Sequence, residues 1–161
     1  MAEEIIEQGY RELADTILEH NPGVDLGRVR AAFELADRAH SGQKRKAGTP
    51  YVTHCVAAAQ ICAEMGLDED SIVAALLHDC IEDTAITHED IARQFGAEVA
   101  DIVEGVTKLT RVQFTSREDE QMENLRKMLM AMAKDIRVIL IKIADRLHNM
   151  RTMEYMVAQK Q

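Results

Sequence analysis

The sequence predicts an all-α fold in a single domain of 161 residues, on three observations. Apolar residues recur at helical spacing, Gly and Pro fall between those stretches, and capping residues open several of them. No run alternates as a strand would, and neither a repeat nor a low-complexity segment interrupts the pattern. Asn21-Pro22-Gly23 ends a first helix, and a second begins near Asp25. Gly42 and Gly48 bracket a basic loop, after which Thr49-Pro50 reads as an N-cap with proline at the first helical position. Val52, Val56, Ala59 and Ala63 then supply one apolar stripe, closed by Gly66. Thr87 with Asp90, and Ser116 with Asp119, read as capping boxes using Asp in place of Glu, and Asp135 can cap the last helix. The stretch from Val106 to Ser116 is the least regular and reads as a loop.

Composition narrows the functional classes. At 47% hydrophobic and 29% charged the chain is ordinary for a globular domain, and three Cys are too few for a disulfide scaffold. No apolar run approaches membrane-spanning length, and the acidic start MAEEIIEQGY lacks a signal-peptide layout. The expectation is a cytoplasmic protein with no membrane partner. A net charge of -9 argues against DNA or RNA binding, which relies on basic surface to neutralise phosphates. A small phosphorylated ligand is compatible with it, because Arg38, Lys44, Arg45 and Lys46 stand almost without acids between Asp37 and Pro50. By charge pattern alone, a solvated basic loop explains that stretch equally well.

Acids stand where core residues belong. With Ser71 to Asp83 on one helix, Ile72, Leu76, Asp79 and Asp83 share a face, and His78 and Glu82 lie beside it. Carboxylates on an apolar stripe are costly unless compensated. Asp79 alone is explained by an arginine partner and Asp83 by solvation at a helix end, whereas His78, Asp79, Glu82 and Asp83 together favour a bound cation. Between Asp135 and Met150, Ile136, Leu140, Ile143, Leu147 and Met150 form one apolar face, and Val138 and Ile141 form a second. This predicts a central helix. Asp145 projects with the second face, near Asn149 and Thr152, and needs either a metal or a cation such as Lys142 or Arg146. His54 read alone is a hydrogen-bonded core histidine. Two imidazoles and two carboxylates from His54, His78, Asp79 and Asp145 would suit Mn²⁺, Fe²⁺ or Zn²⁺. His88 and His148 read as ordinary partners, and His20 and His40 as surface residues. Cys55, Cys62 and Cys80 lack structural zinc spacing and read as reduced core cysteines.

Four blocks in order, RKAGTPYVTH, AALLHDCIEDT, VTKL and RKMLMAMAKDIRVILIKIADRLHNMRT, are similar to the hydrolase domain of RelA/SpoT homologues. That domain belongs to the HD superfamily of metal phosphohydrolases. The resemblance implies removal of the 3′-pyrophosphate of the bacterial stringent-response alarmone (p)ppGpp, giving GDP or GTP and pyrophosphate. It makes His54, His78, Asp79 and Asp145 ligands of one Mn²⁺, matches Glu82 and Asp83 to the pair that handles the attacking water, and matches Arg45, Lys46, Asn149 and Thr152 to nucleotide-contacting positions. A metal would polarise a phosphoryl oxygen and acidify water, while the cations offset substrate charge. Cys55 departs from the proline that commonly follows the histidine. The long family members continue into a synthetase domain, so residues 1–161 are expected to be a hydrolase domain cut before it. Two other readings remain: a phosphohydrolase of another nucleotide, and a non-catalytic nucleotide-binding regulatory domain.

Overall fold

The computed structural model describes residues 2–45, 48–110, 121–123, 125, 126, 129 and 135–160, the side chains of 154–160 excepted. Helices α1 (Ala2–His20) and α2 (Leu26–Ala39) flank the Asn21-Pro22-Gly23 break. They are followed by α3 (Val52–Glu64), α4 (Glu69–Leu77) and the single turn α5 (Cys80–Asp83). Then come α6 (His88–Phe95), α7 (Ala97–Thr110) and α8 (Ile136–Lys160). Among the described residues the only β-type pairing is one isolated bridge between Lys44 and Pro50. The all-α expectation stands.

Two central helices organise the rest. Both α3 and α4 are apolar on nearly every side, which marks helices enclosed by others. α3 packs against α1, α4 and α8, while α4 also meets α2 and α7. Ala58, Ala59 and Ala63 in α3 and Ala74 and Ala75 in α4 are buried small side chains that let these axes approach closely. Leu13, Ile17, Val29, Phe33, Ile91, Val99, Val103 and Ile141 join them in one continuous core.

Local chemistry sets the ends. Asp25 caps α2 by accepting from the amides of Gly27 and Arg28. Asp68 caps α4 at the Ser71 amide, and Thr87 and Asp90 form the expected reciprocal capping box of α6. Asp135 accepts from the Arg137 amide at 2.9 Å. Arg28 ties α2 to Glu69 (2.8 Å), Asp70 (2.6 Å) and the Phe95 carbonyl (2.6 Å). At Gly105 a Cβ would come within 2.7 Å of Val138 Cγ2, so this glycine sets the spacing of α7 and α8.

Several local expectations are corrected. Thr49 and Pro50 do not open α3. The chain folds back on itself there, Tyr51 N–H donating to the Gln43 carbonyl and Arg45 N–H to Thr49, and α3 begins at Val52 after an uncapped Tyr51. Residues 71–83 are not one helix either, because α4 ends at Leu77 and a separate turn starts at Cys80. Val106–Thr110 continues α7, with Thr107 and Thr110 hydroxyls donating to carbonyls one turn back. Residues 111–116, and the Ser116–Asp119 capping box, lie outside the described residues. α8 is buried along Val138, Ile141, Ala144 and Asp145, while Ile136, Ile143 and Met150 of its other apolar face are exposed. Among the described residues α3, α4 and α7 pack against it, and these three exposed side chains show that its two apolar faces are not both buried, as a central helix would require. His40, expected at the surface, is only 2% exposed, its ring against that of Tyr51.

Candidate metal centre

The break between α4 and α5 carries His78 and Asp79. The His78 ring turns back so that Nδ1 donates to the Ala75 carbonyl at 2.6 Å, directing Nε2 away from the helix that bears it. His54 comes from the first turn of α3 and Asp145 from the buried face of α8. One side-chain nitrogen or oxygen from each of His54, His78, Asp79 and Asp145 lies within 4.8 Å of every other. His54 Nε2 is 2.6 Å from Asp145 Oδ1, and His78 Nε2 is 3.3 Å from that oxygen and 3.1 Å from Asp79 Oδ2. Asp145 Oδ2 is engaged by Lys142 Nζ at 2.9 Å, the cation expected as its alternative partner. That lysine leaves Oδ1 turned toward the two histidines.

Electrostatics define what this cluster needs. Burial opposes charge on Asp145, but hydrogen bonds from His54, His78 and Lys142 outweigh it and hold its carboxyl far below the usual range. Burial is likewise outweighed at Asp79, where His78 and the Tyr51 hydroxyl, donating at 2.7 Å, bring the pKa down to about 2. His78 resists burial because Asp79 and Asp145 face it, and its pKa is pushed up to about 10. His54 moves the other way, lowered by burial. Two ionised carboxylates, one buried and one nearly so, thus demand positive charge, supplied without metal by the proton on His78. Two imidazole nitrogens and two carboxylate oxygens also form a donor set that fits a divalent ion such as Mn²⁺, Fe²⁺ or Zn²⁺.

Around the cluster lie the other predicted residues. Arg45 donates to Asn149 Oδ1 at 2.8 Å and to Thr152 Oγ1 at 3.3 Å, so these three are brought together. Lys46 is outside the described residues. Glu82 and Asp83 sit on α5 shortly after Asp79, both exposed. Although the residue as a whole is exposed, partial desolvation of its carboxyl, then the charge of Asp79, raises the Asp83 pKa above the ordinary carboxylate value. The Gln43 amide donates to the Asp83 carbonyl at 3.3 Å, joining the loop before α3 to this turn.

Sequence reasoning missed Tyr51 and His148. Tyr51 precedes His54 by three positions and His148 follows Asp145 by three, the interval that places neighbours on one helical face, and that spacing was the available signal. His148 Nδ1 lies 2.7 Å from His54 Nδ1 and 3.2 Å from an Arg45 Nη. Burial, then the neighbouring His54 and Arg45, bring its pKa down to about 4. The three cysteines are free and buried, with thiol pKa values raised by burial, as expected of inert core residues. His88 pairs with Asp101 at the surface.

A helical core that gathers two histidines and two aspartates at one point places the chain among all-α domains with a candidate metal-binding group. A family model described as HD domain matches residues 32–161, and the chain belongs to that family. Within it the chain is a homologue of SpoT proteins. It is 51% identical over 144 residues to the bifunctional (p)ppGpp synthase/hydrolase SpoT of Escherichia coli K12, covering 89% of this chain and 20% of that protein. It is 56% identical over 119 residues to a guanosine-3′,5′-bis(diphosphate) 3′-pyrophosphohydrolase of Haemophilus influenzae, covering 74% and 18% respectively. A GTP pyrophosphokinase of Myxococcus xanthus is 49% identical over 149 residues, covering 91% and 20%. The chain therefore spans about a fifth of the length of these curated relatives. A solved structure, described as a metazoan ortholog of SpoT that hydrolyzes ppGpp and plays a role in starvation responses, superposes with a TM-score of 0.63 at 33% identity. That match covers 80% of this chain and 71% of the other.

Proposed function

We propose that this domain is a Mn²⁺-dependent pyrophosphohydrolase that removes the 3′-pyrophosphate of (p)ppGpp, releasing GDP or GTP and pyrophosphate. The observation that carries the reading is the convergence of His54, His78, Asp79 and Asp145 beside an Arg45–Asn149–Thr152 cluster, in a homologue of SpoT. The four ligands hold the ion, which when bound supplies Lewis acidity to a phosphoryl oxygen and acidifies nearby water.

The remaining steps belong to the chain. Arg45, with Lys46, offsets the charge of the substrate phosphates, and Asn149 and Thr152 orient the nucleotide by hydrogen bonds. Glu82 and Asp83 orient the attacking water and take its proton; the raised pKa of Asp83 suits a base that must later release that proton. Water attacks the phosphorus attached to O3′, the P–O3′ bond breaks, and the 3′-oxygen leaves and gains a proton. Asp145 already has Lys142 as a partner, the observation that most favours a non-catalytic module. Lys142 engages only Oδ2, and the other oxygen converges with both histidines, which favours the metal reading.

The bacterial, cytoplasmic setting and a synthetase domain following in the full-length protein belong to the same proposal. The name of the Escherichia coli K12 relative combines synthase and hydrolase, and no described helix is long and apolar enough to cross a membrane. Product analysis over ppGpp, pppGpp, GTP and deoxynucleoside triphosphates tests the substrate. GDP from ppGpp and GTP from pppGpp, each with pyrophosphate, are expected. Turnover confined to the triphosphates would assign the domain to another nucleotide.

A further inference from the structure

The two histidines of the metal group reach their orientation by different means. Each points Nε2 into the site and Nδ1 out of it. A ring nitrogen can hold a metal only with its lone pair bare, so the proton of a neutral ligand histidine must sit on Nδ1. At His78 this is settled by the Ala75 carbonyl, which can only accept. At His54 the outer partner is another imidazole nitrogen, His148 Nδ1, which could in principle donate or accept.

Arg45 removes that ambiguity. Its guanidinium can only donate, and one Nη lies 3.2 Å from the same His148 Nδ1. The His54 and His148 planes are 28° apart with ring centroids 4.9 Å apart, so the two nitrogens 2.7 Å apart lie near the line joining the centroids. That is the geometry of an N–H···N hydrogen bond rather than of face-to-face rings. We propose that His148 is a positioning residue: held by Arg45 as an acceptor, it keeps the His54 proton on Nδ1 and turns a bare Nε2 toward the metal. Without metal a proton bridges His54 Nε2 and Asp145 Oδ1, 2.6 Å apart; the ion would take its place between them, with the His54 proton then on Nδ1.

The inference rests on the metal reading, and the experiment separates the two. In Zn²⁺-loaded protein labelled with ¹⁵N-histidine, His148 is expected to carry its proton on Nε2. Its bare Nδ1 should show scalar coupling across the hydrogen bond to His54 Nδ1. A proton on His148 Nδ1 overturns the proposal. Calorimetry with Mn²⁺ gives the second readout. His148→Phe keeps a ring but removes the acceptor, and a Kd about tenfold or more weaker is expected, the usual effect of losing an outer partner. His148→Asn places an amide oxygen near the former Nδ1 and should recover affinity to within about threefold. Equal Kd values for the two variants and the unaltered protein contradict the relay while leaving the metal site intact. Failure of the unaltered protein to bind Mn²⁺ or Zn²⁺ overturns both readings. Should His148→Phe not fold, the protonation state of His148 in the unaltered protein decides.

Discussion

Asp145 shows how much one residue must satisfy at once. It is 6% exposed, shares Oδ1 between His54 and His78, and gives Oδ2 to Lys142. Removing one partner from such a buried ionic group leaves the others unpaired, so Asp79→Ala and Asp145→Ala are expected to abolish Mn²⁺ binding as read by calorimetry. Glu82→Gln differs, because Glu82 is exposed and outside the ligand set. It should bind Mn²⁺ normally yet lose about 10²–10⁴-fold in kcat, the usual range for a lost proton-transfer group. The pH dependence follows from His78. Its pKa in the metal-free fold is about 10, above the ordinary 6.5, so its stabilising proton is fully held below pH 6.5 and lost as pH rises through about 10. Metal-free protein should therefore lose on the order of 1 kcal/mol of stability per pH unit from this group across that window. Metal uptake must displace the same proton, so apparent Mn²⁺ affinity should rise as pH increases from 6 to 8. Calorimetry in buffers of different ionisation enthalpy would count one proton released per ion.

At the scale of elements, the site depends on helices held at fixed spacing. A Gly105→Ala Cβ would meet Val138, one helical face with Asp145, so overpacking there should cost about 1–3 kcal/mol in chemical denaturation. Losing the Asp25 cap in Asp25→Ala should cost about 0.5–2 kcal/mol with no effect on Mn²⁺ affinity, because that cap is at α2, remote from the ligands. What could be read from sequence follows the same division. The capping box at Thr87 and Asp90, the α1 break and the buried face of α8 carry local signals, and all three were legible. The break between α4 and α5 was not, because His78 and Asp79 keep near-helical torsions and the interruption comes from a ring turned onto Ala75. Thr49-Pro50 had the composition of a helix start, but pairing of Gln43 and Arg45 with Tyr51 and Thr49 drew it into a fold-back. The exposed side of α8 was misjudged because an apolar pattern does not say which neighbours cover it.

Across the whole molecule, His54, the adjacent pair His78-Asp79 and Asp145, from three separate stretches of the chain, meet at one point, which the packing of α3, α4 and α8 brings about. Asp79 and Asp145 of the candidate site were visible as acids on apolar faces; their convergence with His54 and His78 was implied by family resemblance, not by spacing. Because a metal that binds only the folded state adds to its stability, Mn²⁺ at 100 times its Kd should stabilise the protein by about 2.7 kcal/mol, seen as a raised Tm absent in Asp79→Ala. Metal-dependent alarmone hydrolysis is tested most directly by following ppGpp with the purified chain during Mn²⁺ titration, with Asp79→Ala alongside. GDP and pyrophosphate are expected at a rate that saturates with Mn²⁺ occupancy and vanishes in a folded Asp79→Ala variant. Intact ppGpp at full Mn²⁺ occupancy, or equal turnover by the variant, would contradict that expectation.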